Sequence, residues 1–264
     1  MKIWYNCSSA MGYHESHKDY YNATKEHAQT VLGPEVEVAV HGVNRPEFEL
    51  EVASSYFEFL AKGQVINNVI KAEREGFDAA VLGCFLDPGL FEAREVVDIP
   101  VIGAGEASML FACMLGLKFG LVIYNPSRLT DLERRIRIYG LEHRVASIGL
   151  FNISPKRLLV SSFKEPDPVI EKFLEAAKRT VEKGADIVIP ACTGLNVLLM
   201  RNNVHRVNDT GVPVLDCVGV ALKIAKTIVE LKDSSGLFVS RKYPSPPRRM
   251  VEKLRKFYKL DNGE

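Results

Sequence analysis

Two of the five cysteines in this 264-residue chain, Cys84 and Cys192, stand at matching positions of a repeated segment. Glu75-Gly76-Phe77-Asp78-Ala79-Ala80-Val81-Leu82-Gly83-Cys84 lies without a gap over Lys183-Gly184-Ala185-Asp186-Ile187-Val188-Ile189-Pro190-Ala191-Cys192, with Gly, Asp and Cys in register. A thiol is an acid and a thiolate a base, so a pair facing each other across a cleft can take a proton from one face of a carbon and return one to the other. That chemistry needs a means of lowering a thiol pKa, and a strand end followed by a helix start supplies it through backbone N–H groups and a positive dipole. After Cys84 the chain reads Phe85-Leu86-Asp87-Pro88-Gly89-Leu90, where Asp87 is expected as a helix N-cap and Pro88 as the first helical residue. After Cys192 it reads Thr193-Gly194-Leu195. Thr193 is expected to donate to a substrate oxygen, Gly194 to permit close backbone approach, and the same N–H groups to stabilise an enolate oxyanion. An isolated cysteine more often fills space in a core, and the shared position in the repeat is what separates this pair from Cys113, in the apolar run 109–115, and Cys217. Cys7 is read as packing too, although it follows the first strand, where it can reach the cleft.

The elements that must hold these residues alternate. Short apolar, β-prone runs at 2–5, 36–40, 79–83, 101–102, 121–124, 146–150, 187–189 and 214–215 are separated by stretches of helical periodicity at 56–75, 127–139, 168–183 and 218–231. That order predicts an α/β fold: two pseudo-symmetric lobes, each a roughly four-stranded parallel sheet flanked by helices, with the site in the cleft between them. Two further correspondences support duplication: Ile3-Trp4-Tyr5-Asn6 with Val122-Ile123-Tyr124-Asn125, and Ile99-Pro100-Val101-Ile102 with Val212-Pro213-Val214-Leu215. The division expected is residues 1–105 plus 218–264 for the lobe carrying Cys84, and 106–217 for that carrying Cys192.

Composition narrows the partner. With 34 Lys and Arg against 33 Asp and Glu, no net field favours nucleic acid or an anionic membrane, and a small-molecule substrate fits better. No apolar run is long enough to span a bilayer and the N-terminal residues turn polar too soon for a signal peptide, so a cytoplasmic protein with reduced thiols is expected. Gly103-Ala104-Gly105-Glu106-Ala107-Ser108 resembles a dinucleotide loop only superficially, since Ser replaces the third glycine and Glu106 would face a pyrophosphate. His14-Glu15-Ser16-His17 lacks the spacing that puts two imidazoles on one helix face, and reads as a mobile polar loop able to cover the cleft rather than a metal site. The basic run Arg241 to Lys259 reads as a surface-docked helix from Arg248 to Tyr258.

The segment Gly83-Cys84-Phe85-Leu86-Asp87-Pro88-Gly89-Leu90, followed by Asp98-Ile99-Pro100-Val101-Ile102-Gly103-Ala104-Gly105-Glu106-Ala107, resembles the aspartate/glutamate/hydantoin racemase superfamily, and its hydantoin racemase branch most. The resemblance implies a racemase free of metal, pyridoxal phosphate and other cofactors, using both cysteines, and commonly assembled as a homo-oligomer. It further implies that Asn6, Ser8, Phe85, Tyr124, Thr193 and Gly194 contact substrate. Two segments depart from that branch: Asn6-Cys7-Ser8-Ser9 stands in place of its Asn-Pro-Asn-Thr/Ser motif, and Thr193-Gly194-Leu195 in place of Ala-Gly-Met. The Cys192-Thr193 pair looks more like amino-acid racemases or the related arylmalonate decarboxylases, which use one cysteine. Substrate therefore stays open between 5-substituted hydantoins and free amino acids such as aspartate or glutamate. A decarboxylase, a cis-trans isomerase with Cys84 as nucleophile, and a noncatalytic binding protein are the remaining readings.

Overall fold

The computed structural model describes residues 1–51, 54–240 and 245–260. Among these, seven strands form two fully parallel sheets. The first has β1 (Lys2–Cys7), β2 (Glu37–His41), β3 (Ala79–Gly83) and β4 (Val101–Gly103) in the order β2-β1-β3-β4. The second has β5 (Phe119–Ile123), β6 (Val145–Leu150) and β7 (Ile187–Pro190) in the order β6-β5-β7. Where a fourth strand was expected, the second sheet has a single parallel bridge between Val188 and Val214. Strands β3, β5 and β7 are buried along their whole length, which is why their sequences lack polar alternation.

The duplication extends to individual hydrogen bonds. Gly76 and Gly184 both adopt positive φ, +78° and +92°, ending the preceding helices, where a Cβ would be strained. Asp78 N donates to Lys2 O and Asp186 N to Lys118 O, each at 2.8 Å. The two carboxylates then accept from the start of the neighbouring strand, Asp78 from Lys2 N at 2.7 Å and Asp186 from Leu117 N and Lys118 N at 2.8 and 3.1 Å. Pro100 O accepts from Ala80 N at 2.9 Å as Pro213 O does from Val188 N at 3.0 Å, so the Ile-Pro and Val-Pro segments correspond as expected. The Tyr-Asn correspondence is out of register. Ile3 pairs with Ala79 and Phe119 with Ile187, which makes Tyr5 the counterpart of Leu121 and Ser8 that of Tyr124. A three-residue slip reverses the face a strand residue presents.

Helices cover the sheets. The four with clear periodicity are α2 (Ser55–Arg74), α5 (Leu129–Ile138), α6 (Asp167–Glu182) and α8 (Cys217–Ser235). Val218, Ala221, Leu222, Ala225 and Val229 of α8 pack in one core with Ile3, Tyr5, Ala79 and Val81, so the chain returns to the first sheet after completing the second. Helix starts were expected after both cysteines: α7 (Thr193–Arg201) begins directly after Cys192, and α3 (Leu90–Val96) only after Gly89; not anticipated were α1 (Lys18–Leu32) and the π-helical turn Arg157–Ser161, while α4 (Ala104–Leu115) extends the apolar run around Cys113. Helix α1 buries Tyr20, Ala23, Thr24, Ala28 and Leu32, a stripe of mostly small residues that a hydrophobicity pattern registers weakly. The C-terminal helix α9 (Arg248–Phe257) docks on the surface as expected, with Arg248 paired to Glu73 and Asp98 and Arg255 Nη1 donating to Asn67 Oδ1 at 2.6 Å. Residues 241–244 of the basic run lie outside the described residues. No helix among those described is long and apolar enough to cross a membrane.

Candidate active site

A cavity of about 130 Å³ opens beyond the carboxyl ends of the strands, and both cysteines of the repeat line it. Cys84 follows β3 and Cys192 follows β7, so each sheet delivers one thiol from the end of a buried strand. The two are then held differently. Cys192 is the N-cap of α7, and the N–H groups of Gly194 and Leu195 face its sulfur. Cys84 has the Ser8 hydroxyl and the Leu86 N–H, but no helix starts on it. Asp87 does not cap α3, and Pro88 is not helical, because α3 begins only at Leu90 after Gly89. Asp87 instead turns back, at φ +46°, and its buried carboxylate accepts from Gly105 N at 3.0 Å and Glu106 N at 2.8 Å, the first turn of α4. Tyr139 donates to it as well, at 2.6 Å.

The Gly103-Ala104-Gly105-Glu106 segment acquires its explanation there. A Cβ on Gly103 would sit 2.5 Å from the Asp87 carboxyl carbon, and one on Gly105 would sit 2.0 Å from Phe85 O. These glycines make room for the Cys84 loop, and the helix terminus that a dinucleotide would need holds an aspartate. Glu106 pairs with Arg94, at 2.5 Å.

Burial decides the protonation state of both thiols. Desolvation pushes Cys84 up to about 12, against the Ser8 and Leu86 donors that favour the thiolate. It pushes Cys192 up to about 11, against the N–H groups of Leu195 and Gly194. The expected backbone donors are present, and burial outweighs them. At neutral pH the resting pair is two thiols.

Of the residues expected to meet substrate, Ser8, Phe85, Tyr124, Thr193 and Gly194 line the cavity with the cysteines. Asn6 does not. It is buried behind the strand end, its Oδ1 accepting from Asn68 Nδ2 at 2.8 Å and from Trp4 Nε1 at 3.4 Å. Its contact with substrate was implied by the family resemblance alone; in the strand register it is Ser8, which does line the cavity, that is Tyr124's counterpart. Thr193 is corrected in role: its hydroxyl donates to Gly83 O at 2.8 Å, so the expected donor to substrate is a tie between the two cysteine loops. Gly194 leaves room for the π-helical turn, because a Cβ there would meet Leu159 Cδ2 at 2.5 Å.

Cys7, read as packing, is buried but also lines the cavity, with Sγ 3.2 Å from Ser9 Oγ and 3.5 Å from Tyr20 OH. The expected mobile loop at 14–17 is a 3-10 turn with His17 in the cavity wall and His14 Nε2 2.6 Å from Arg45 O. Sequence reasoning missed a polar wall built of Arg45, Glu58 and Arg128. Arg45 Nη1 donates to Ser8 O at 2.9 Å and Glu58 Oε1 at 3.1 Å, and Arg128 pairs with Asp131 at 3.2 Å. Arg45 follows β2 and Arg128 follows β5, so the rule that ligands bind at carboxyl strand ends points to both. Glu58, on α2, carries no such signal.

Comparison with known proteins agrees with this architecture. The family model described as Asp/Glu/Hydantoin racemase matches residues 11–225. A hydantoin racemase of Pseudomonas sp. (strain NS671) is 36% identical over 195 residues, 73% of this chain and 75% of that protein. One of Paenarthrobacter aurescens is 32% identical over 195 residues, covering 73% and 79%. Among solved structures, allantoin racemase from Klebsiella pneumoniae superposes with TM-score 0.77 at 23% identity, over 92% of this chain and 91% of that one. Allantoin racemase from Pseudomonas fluorescens gives 0.76 at 22%, over 94% and 98%. The chain belongs to the Asp/Glu/hydantoin racemase family, and is an isomerase of the racemase type.

Proposed function

We propose that this racemase inverts 5-substituted hydantoins by a two-base mechanism, without a cofactor, with Cys84 and Cys192 as the opposed acid and base. The observation that carries the reading is that the two thiols, each ending a strand of its own sheet, line one cavity. In the forward direction one sulfur, as thiolate, takes the proton from C5, and the electron pair of the broken C–H bond passes to the adjacent carbonyl as an enolate. The other thiol then gives its proton to C5 from the opposite face and becomes the thiolate, so the enzyme ends poised for the reverse reaction. Substrate class follows the named relatives, which are hydantoin racemases, and the polar wall of Arg45, Glu58 and Arg128 suits a ring rich in N–H and C=O groups.

Single enantiomers of 5-substituted hydantoins, tested by polarimetry beside aspartate and glutamate without added cofactor, check the substrate. Cys84→Ala and Cys192→Ala are each expected to lower racemisation by roughly 10²- to 10⁴-fold, the range for loss of one general acid or base. Exchange of the C5 hydrogen in deuterated water follows the same chemistry directly. Full racemisation by either variant would overturn the two-base mechanism, and inversion of amino acids alone would overturn the substrate.

A further inference from the structure

His17 is fully buried in the cavity wall, at 1% exposure, and its Nε2 has no hydrogen-bond partner. Buried polar atoms are almost always paired, so an orphan at the edge of a binding cavity marks a place where a ligand atom is expected. Its neighbours fix what kind of atom. Ser16 Oγ lies within hydrogen-bond distance of the Glu47 carboxylate, which can only accept, so the hydroxyl proton is spent there. The same oxygen sits 3.3 Å from His17 Nδ1 and therefore accepts from an Nδ1–H. That assigns the tautomer from the network: Nδ1 carries the proton and Nε2 presents a lone pair. Burial, reinforced by the neighbouring His14, lowers the His17 pKa against the opposing Glu47, which keeps the ring neutral. Two other polar groups of the cavity wall, Arg45 and Glu58, are engaged with each other, and Arg45 also donates to Ser8 O.

We propose that His17 Nε2 is the acceptor for a ring N–H of the substrate, held in that tautomer by the Glu47–Ser16 pair, and so selects rings that carry an unsubstituted amide or imide nitrogen. This rests on the hydantoin reading above and adds to it a specificity-determining residue in the cavity wall.

The test uses unsubstituted hydantoin and its 1-methyl and 3-methyl derivatives as binding probes, titrated against the full-length protein by calorimetry, with racemisation of a 5-substituted hydantoin measured alongside. Wild type should bind one methyl derivative about tenfold more weakly than hydantoin, the cost of one hydrogen bond whose buried acceptor is left empty. His17→Phe should bind hydantoin about tenfold more weakly and lose that discrimination. His17→Gln, which offers an amide oxygen as acceptor, should recover most of both. In wild type labelled at histidine, the Nε2 nitrogen resonance should show an unprotonated nitrogen that shifts on adding hydantoin, a readout independent of how well the variants fold. Unchanged hydantoin affinity in His17→Phe, equal binding of all three probes by wild type, or an Nε2 that is already protonated would each overturn the proposal while leaving hydantoin racemisation standing. A wild type that binds none of the probes yet racemises an amino acid would overturn both readings, and is thereby distinguished from the first three results.

Discussion

Cys84 and Cys192 are where chemistry and burial pull in opposite directions. A catalytic base must be ionised, yet desolvation holds one thiol near 12 and the other near 11. The thiolate population of the free enzyme at neutral pH is therefore small and grows with every unit of alkalinity. If the thiolate is the active form, as proposed, kcat/KM for racemisation should rise about tenfold per pH unit from 7 to 10 and bend only as pH approaches the lower of the two values. Initial rates of optical-rotation decay across that range measure it. A plateau by pH 8 would mean that one thiol is far more acidic in the working enzyme than burial allows. At this scale the sequence was a good guide to residue types and a weaker one to their roles. The repeat singled out both thiols because matching Gly, Asp and Cys positions leave a visible pattern. Asn6 was taken as a substrate contact from the family resemblance, and the strand register that makes Ser8 the counterpart of Tyr124, Ile3 on Ala79 and Phe119 on Ile187, leaves no local mark.

Among elements, α4 shows how a motif can be legible as a shape and still be misassigned. Two glycines followed by Glu106 at a helix start do signal a site for negative charge, and the charge proves to be Asp87, arriving from a turn 18 residues earlier. The helix expected directly after Cys84 fails for the same reason, since the residue meant to cap it is occupied elsewhere. Enclosure raises the Asp87 carboxyl from 3.8 to about 6, burial outweighing Tyr139, Gly105, Glu106 and the positive charge of Arg135. A folded-state pKa above the unfolded one means that the native protein binds the extra proton. The favourable contribution is thus complete below about 4 and is lost as pH rises through about 6. Urea unfolding at pH 4.5, 5.5 and 7 should show wild type losing stability across that window relative to Asp87→Asn, which cannot ionise. The variant should itself be weaker by roughly 1–2 kcal/mol at pH 4.5, having exchanged one of two acceptor oxygens for an amide, and that deficit should shrink as pH rises through the window. Parallel pH profiles for the two proteins would mean that the carboxyl titrates normally.

For the whole molecule the question is what keeps two similar halves in one arrangement, since the proposed two-base reaction depends on the separation of its bases. Among the side-chain hydrogen bonds that cross between residues of the two sheets' surroundings are Ser55 Oγ to Asp131 at 2.7 Å, Tyr139 to Asp87, and Thr193 Oγ1 to Gly83 O. None was legible in advance, because each joins residues 52 to 110 positions apart with no pattern to link them, whereas the duplication itself could be seen by aligning the chain with itself. The third is placed to matter most, as it runs from the residue after Cys192 to the residue before Cys84. Thr193→Val keeps the β-branched shape and deletes the hydroxyl, leaving Gly83 O without that partner at a cost of about 1–3 kcal/mol. If the tie serves only stability, unfolding shifts by that amount and turnover at moderate temperature does not change. If it sets the spacing of the thiols, kcat falls by about tenfold, as small misplacements of reacting groups do, while KM moves by less than about twofold because the rest of the cavity wall is unchanged. Thr193→Ser, which restores the donor, then recovers kcat. Steady-state kinetics and thermal unfolding of the two variants separate these outcomes, and we expect the second, since this hydroxyl connects the loops of both thiols.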